Sequence, residues 1–449
     1  MSCGGKSTAG EIVIKRRFFI LAGVLLVVLG LFFWQLPTLL KAMPSRYIAR
    51  LPDPLQSLGV RGDGEELLPT VAAPVAAAAL LQGPELPEPL IVTQTVILTP
   101  ASRIDETAVP IIIPLPTPTN TPVPLPEAVR LDGFAHQFQT WNNCGPATIA
   151  MSLSYFGLNL NQQETAVFLK PNPEDRNVSP YQMTAYVNEQ TAFSALDRTN
   201  GDLETVKRLV ANGFPVIIEL GIEPPGEYRW LGWYGHYLLI VAYDDALEQF
   251  WVYDSWFGTS DVPMENATIE GRILPYTDAD RQWQQFNRNY IVLFPPQSET
   301  AVTTIIGVQM DDADMWQNSL TRNRAALAKE PENAFLWFNL GTTYNALSQF
   351  EDAATAFDQA RALGLPWRML WYQFGPYEAY YQVGRYEDMI TLADATLKDR
   401  PYFEEAYYYK GLALTAQGDA SAALENFERA VKFNPLFQPA NEAILQFGD

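Results

Sequence analysis

The stretch HQFQTWNNCGPATIAMSLSYFG, residues 136–157, decides how the chain is read. Ala147, Ala150, Met151, Ser154 and Tyr155 recur at helical spacing on one face, and Ile149 and Leu153 fill a second. Pro146 suits a first helical turn, where its missing N–H is not needed, and Gly157 suits a helix stop. This places Cys144 immediately before a helix N-terminus, where the dipole and free N–H groups favour the nucleophilic thiolate. A structural cysteine would sit inside the apolar stripe instead.

A thiolate needs a base, and the inventory is short. The 449 residues hold two Cys and two His, namely Cys3, Cys144, His136 and His236. That excludes zinc fingers and thiolate clusters, and it excludes a disulfide framework. His136 lies in the approach to Cys144 and reads as a surface or structural residue. His236 opens the strand-like run HYLLIVAYDD, and QFWVYDSW follows at 249–256. If the two pair as a hairpin with its turn centred near 245, position 236 falls opposite 254 or 255. Asp254 is then placed to accept from a ring nitrogen of His236 and orient it. Nucleophile, base and orienter is the set an activated cysteine requires.

Together QTWNNCGPATIAMSLSYFG, GHYLLIVAYDD and VYDSW resemble the papain-like cysteine peptidases that include the bacteriocin leader-processing family, in its stand-alone "C39-like" branch. The resemblance implies Cys144 as nucleophile, His236 as general base and then acid, and Asp254 as orienter. It also implies a glutamine before the Cys that donates to the oxyanion; Gln139 lies five residues before, with Gln137, seven before, in reserve. Asn143 stands where the family has an acidic residue. No P-loop occurs, so the transporter ATPase fused to leader-processing members has no counterpart.

The rest of this segment, 131–297, reads as α+β. Asn161 with Glu164, Ser179-Pro180 with Gln182, and Asp202 mark three helix starts. FPVIIEL, HYLLIVAY, FWVYDSW and NYIVLF follow as four strand-like runs. The aromatic loop at 222–235 either lines a substrate cleft or caps the core.

Outside it, three further segments are expected. Residues 18–40 lack formal charge and read as a transmembrane helix rather than a cleaved signal peptide. Four basic residues precede it and three follow, which assigns residues 1–17 to the cytoplasm and the rest to the extracytoplasmic side. Residues 41–130 read as a disordered proline-rich stalk, with fifteen of the 34 prolines between 51 and 130. Residues 311–449 resemble an all-α tetratricopeptide superhelix of about three repeats plus a leading helix, on W-x₂-L-G-x₂-Y from Trp337 to Tyr344, Ala353, Phe357 and Ala360. Tyr377 stands where the middle copy should have Gly.

The formal charge of −21 argues against nucleic acid as a partner. The repeats carry 20 acidic and 11 basic residues, which favours a basic or neutral protein partner. The expectation is therefore a multidomain, single-pass membrane cysteine peptidase without cofactor or metal, whose repeats recruit a peptide substrate or a protein partner. The alternatives are a non-catalytic peptide-binding scaffold and a thioester-using acyltransferase or cross-linking enzyme.

Overall fold

The computed structural model describes residues 30–32, 34–40, 67–81, 124–140, 142–172, 174, 177–223, 232–256, 267–268 and 271–447. Its strands are β1 Ala128–Arg130, β2 Ser194–Arg198, β3 Val216–Ile222, β4 Tyr234–Asp244, β5 Gln249–Asp254, β6 Ala267–Thr268, β7 Gly271–Pro275 and β8 Tyr290–Phe294. Its first helices are α1 Ala77–Leu80, α2 Cys144–Tyr155, α3 Gln162–Leu169, α4 Pro180–Gln190, α5 Leu203–Ala211, α6 Tyr276–Trp283 and α7 Glu299–Ile306.

The strands form one sheet in the order β2-β8-β3-β4-β5-β7-β6, with β1 also on β4. Every pairing is antiparallel. β3 and β8 are buried at every residue, so their apolar runs, interrupted in β3 only by Glu219 and Gly221, mark a sheet covered on both faces. On one face, Ile149, Met151 and Leu153 of α2 and Met183 and Val187 of α4 pack on Tyr237, Leu239, Val241 and Ile291. On the other, Val206, Leu209 and Val210 of α5, Trp283 of α6 and Val302 of α7 cover Val216, Ile218, Leu238, Ile240 and Val292.

The helix starts lie where their caps place them. Asn161 Oδ1 accepts from the N–H groups of Gln163 and Glu164, both at 3.0 Å, and Glu164 Oε2 accepts from Asn161 N at 2.7 Å. Gln182 Oε1 accepts from Ser179 N at 2.7 Å, and Asp202 Oδ1 accepts from Thr205 N at 2.7 Å. The four strand-like runs correspond to β3, β4, β5 and β8. β1, β2, β6 and β7 were not anticipated, being short or lacking alternation.

The C-terminal region is helical: α8 Asp312–Leu327, α9 Ala334–Ala346, α10 Phe350–Leu363, α11 Gly375–Gln382, α12 Tyr386–Asp399, α13 Glu404–Ala416, α14 Ala420–Phe433 and α15 Gln438–Leu445. α9 and α10, and likewise α13 and α14, approach closely because a Cβ on Gly341 or Gly411 would lie 2.7 or 2.5 Å from the phenyl ring of Phe357 or Phe427. In the middle pair Tyr377 replaces that glycine, stacks on Tyr409 at 4.6 Å, and lies on a helix of only eight residues. A 3₁₀ turn, Trp367–Trp371, precedes that helix.

Two expectations need correction. Among the described residues no helix is long and apolar enough to cross a membrane, so the transmembrane helix over 18–40, the single-pass topology and the extracytoplasmic placement are not supported. Of that segment, residues 30–32 and 34–40 are described, and they are helical. Residues 1–29 lie outside the described residues.

The stalk expectation also fails where it can be examined. Leu68, Ala77 and Leu80 are buried in the core of the helical region. Leu68 N donates to Leu365 O at 2.9 Å, Arg361 Nε to Pro69 O at 3.0 Å and Arg324 Nε to Leu80 O at 3.0 Å. Apolar residues scattered too sparsely to build a core of their own thus complete an existing one. Residues 124–130 likewise belong to the sheet region through β1, while 41–66 and 82–123 lie outside the described residues.

Candidate active site

Cys144 is the first residue of α2, half-buried, with Asn143 as N-cap. The Asn143 amide donates to Thr140 Oγ1 at 3.0 Å rather than capping the helix. The approach loop is fastened on both sides. Gln137 donates to Leu160 O at 2.6 Å and accepts from Gln162 N at 2.9 Å, so both ends of its amide hold the loop to the start of α3. Gln139 N donates to Ser255 O at 2.7 Å, and Ser255 Oγ donates to Gln139 Oε1 at 2.8 Å. With its carbonyl held, the end of Gln139 that has donors to offer is the amide nitrogen. Lys170 Nζ donates to Asn142 O at 3.0 Å, two residues before the cysteine, where Asn142 takes a left-handed φ of 56°.

The sheet side is built differently from the expected hairpin. Leu238, not His236, lies opposite Asp254, and His236 is its diagonal neighbour. Pairing runs regularly from Asp244↔Gln249 to Ala242↔Trp251, then shifts by one residue before Ile240↔Val252. Continued without that bulge, the register would set Leu239 against Asp254 and turn the carboxylate to the other face. The bulge restores it to the face of Leu238 and His236, within reach of the ring.

His236 Nε2 lies 2.8 Å from Asp254 Oδ1, and both side chains are almost fully buried. The same oxygen accepts from Trp256 N at 2.9 Å, while Oδ2 accepts from Arg272 Nε at 3.1 Å. Arg272 is buried on β7 opposite Val252, so it reaches Asp254 diagonally from the other flank. His136, the other imidazole, bonds the Asp254 carbonyl at 2.9 Å and packs edge-on against Phe138 and Tyr253. Its role is structural: it pins the approach loop to the end of β5.

The electrostatics follow from this packing. Burial alone would lower the His236 pKa, but the Asp254 carboxylate, and then Cys144, by charge and hydrogen bonding, push it up to about 9. With Nε2 engaged by Asp254, Nδ1 is the ring atom left for the thiol. Burial lowers the His136 pKa and favours its neutral form, against the opposing pull of Asp254. Glu219, buried on β3 opposite Tyr237, is raised well above the carboxylate range by burial and then by Cys144, with a hydrogen bond from Tyr237 working the other way. A carboxyl favouring its neutral form thus acts on Cys144 from β3.

The helical region also reaches this end of β4. Trp233 stacks on Phe286 at 5.7 Å and meets Phe335 and Tyr372 at 5.6 and 5.8 Å. Arg368 donates to Trp233 O at 3.0 Å and lies 4.2 Å above the Tyr234 ring. The described end of the aromatic loop therefore caps the core, while 224–231 lie outside the described residues. Among the described residues no cluster of His, Cys, Asp or Glu is arranged to hold a metal.

Sequence reasoning missed Arg272, Glu219 and the bulge. A lone acid in the apolar run VIIELGI and a lone Arg between Gly271 and ILP were the available signals for the first two.

No curated protein matches the chain. A solved structure, described as that of a C39-like peptidase from Bacillus anthracis, aligns at 17% identity and a TM-score of 0.29, covering 38% of this chain and 98% of its own. Residues 131–290, the segment that carries Cys144, His236 and Asp254, match the model of the Peptidase_C39 like family.

Proposed function

We propose that the chain is a cysteine peptidase that cleaves a peptide amide through a thioester on Cys144. The observation that carries this reading is the buried His236–Asp254 pair at 2.8 Å, with His236 interacting in turn with Cys144 at a helix N-terminus. Carboxylate and imidazole are both removed from water, which strengthens their interaction and holds Nδ1 toward the thiol.

In the proposed reaction, Cys144 Sγ, paired as thiolate with the His236 imidazolium, attacks the amide carbon. The Gln139 amide and the Cys144 backbone N–H receive the charge on the oxygen. Collapse breaks the C–N bond, and His236 protonates the leaving amine. A water then gives one proton to His236 and attacks the thioester, releasing the acid, which ionises, and restoring the thiolate–imidazolium pair. Asp254 keeps its charge throughout, which suits its bond from Arg272. The helical region, read as tetratricopeptide repeats, would hold the substrate or a protein partner near this site and raise its effective concentration.

The test is incubation of the full chain with a synthetic peptide library, followed by mass spectrometry of new termini and of the intact protein. Cleavage products and an acyl adduct on Cys144, both absent for Cys144→Ala, are expected. Products that persist in Cys144→Ala, or no covalent adduct in either protein, contradict the reading.

A further inference from the structure

Where α3 and α4 face the last helices of the chain there is a groove of about 840 Å³. Phe168 and Tyr181 form one wall, and Tyr381, Tyr408, Phe427 and Leu436 belong to the other. Phe168, Tyr181, Tyr381 and Leu436 are exposed, so large apolar side chains from two parts of the fold face water across one concavity.

The walls are fixed to each other. The Asn172 amide, between α3 and α4, donates to Tyr402 O at 3.0 Å and to Glu404 Oε2 at 2.9 Å. Glu404 Oε1 accepts from the Asn434 amide at 2.9 Å, and all three side chains are buried. A preformed groove of this size suits a ligand rather than a breathing interface.

The charges select the ligand. Among the described lining residues the only acids are Glu189 and Glu442, both exposed, and there is no Lys, Arg or His. A second copy of a chain with formal charge −21 would bring further acids to these two, which disfavours self-association there. We infer that this groove is a docking site for a peptide carrying aromatic or branched apolar side chains next to Lys or Arg, separate from the Cys144 cleft. Its use in delivering substrate rests on the peptidase reading; its binding does not. Lys170, which follows α3, also holds the loop before Cys144, so the same short segment serves the groove wall and the nucleophile.

The experiment is fluorescence anisotropy on the full chain carrying Cys144→Ala, with labelled octapeptides of alternating Lys-Phe, Glu-Phe or Lys-Ser. The Lys-Phe peptide is expected to bind at least about tenfold more tightly than either other. Glu189→Lys with Glu442→Lys, at exposed positions that do not threaten folding, should reverse the preference toward Glu-Phe, and Tyr181→Ser should weaken both. Equal binding of Glu-Phe and Lys-Phe, or a preference untouched by the charge reversal, overturns the inference. Because the chain tested has no nucleophile, that outcome is separate from any failure of the peptidase reading.

Discussion

The two sides of the candidate site are assembled by different means. On the helix side, Cys144 and Gln139 are placed mainly by a helix start and by amides that tie the loop to the nearby start of α3, with one longer link from Ser255 to Gln139. On the sheet side, His236, Asp254 and Arg272 come from three strands, and their meeting depends on a bulge. A helix terminus is written in a few neighbouring residues. A sheet register is a long-range property, in which one extra residue exchanges the two faces.

The largest effect expected from breaking this contrast is at Arg272. Arg272→Met leaves Asp254 Oδ2 without its guanidinium in a buried site, which should cost about 3–5 kcal/mol of stability, read from the urea midpoint. Peptide turnover should fall with it, as Asp254 loses its orientation. A variant within about 0.5 kcal/mol of the parent would show that the sheet side is not held by that pair.

A smaller effect, confined to chemistry, is expected on the helix side. Gln139→Ala should lower kcat about 10²- to 10³-fold with little change in KM, as removal of an oxyanion donor does. Gln137→Ala should instead lose only loop bonds, about 1–2 kcal/mol of stability, and keep most of kcat. The reverse ranking, from a peptide-release assay on both variants, would exchange their roles.

Legibility followed the same division. The caps at Asn161, Ser179 and Asp202 state their helices within four residues, and these starts were readable. The apolar runs of β3, β4 and β8 were readable because both faces of the sheet are buried there, and β5 by its dense aromatic and branched residues. The exact register of β4 on β5 was not, since the turn alone placed Asp254 opposite His236 instead of diagonal to it. Arg272 and the packing of Leu68 and Leu80 into the helical core lie farther still from any local signal.

The central claim is that His236 and Cys144 act as one ionisable pair. Its most direct test is the rate of Cys144 alkylation by iodoacetamide in the full chain, from pH 5 to 10, compared with His236→Ala. The raised His236 pKa of about 9 means that the imidazolium is favoured up to that pH. The stability it contributes is complete below the unfolded-state value of about 6.5 and is lost as pH rises through about 9. The account predicts rapid labelling near pH 6 that falls by about tenfold or more in His236→Ala, with the two curves converging above pH 9. Superimposable curves across the whole range would contradict it.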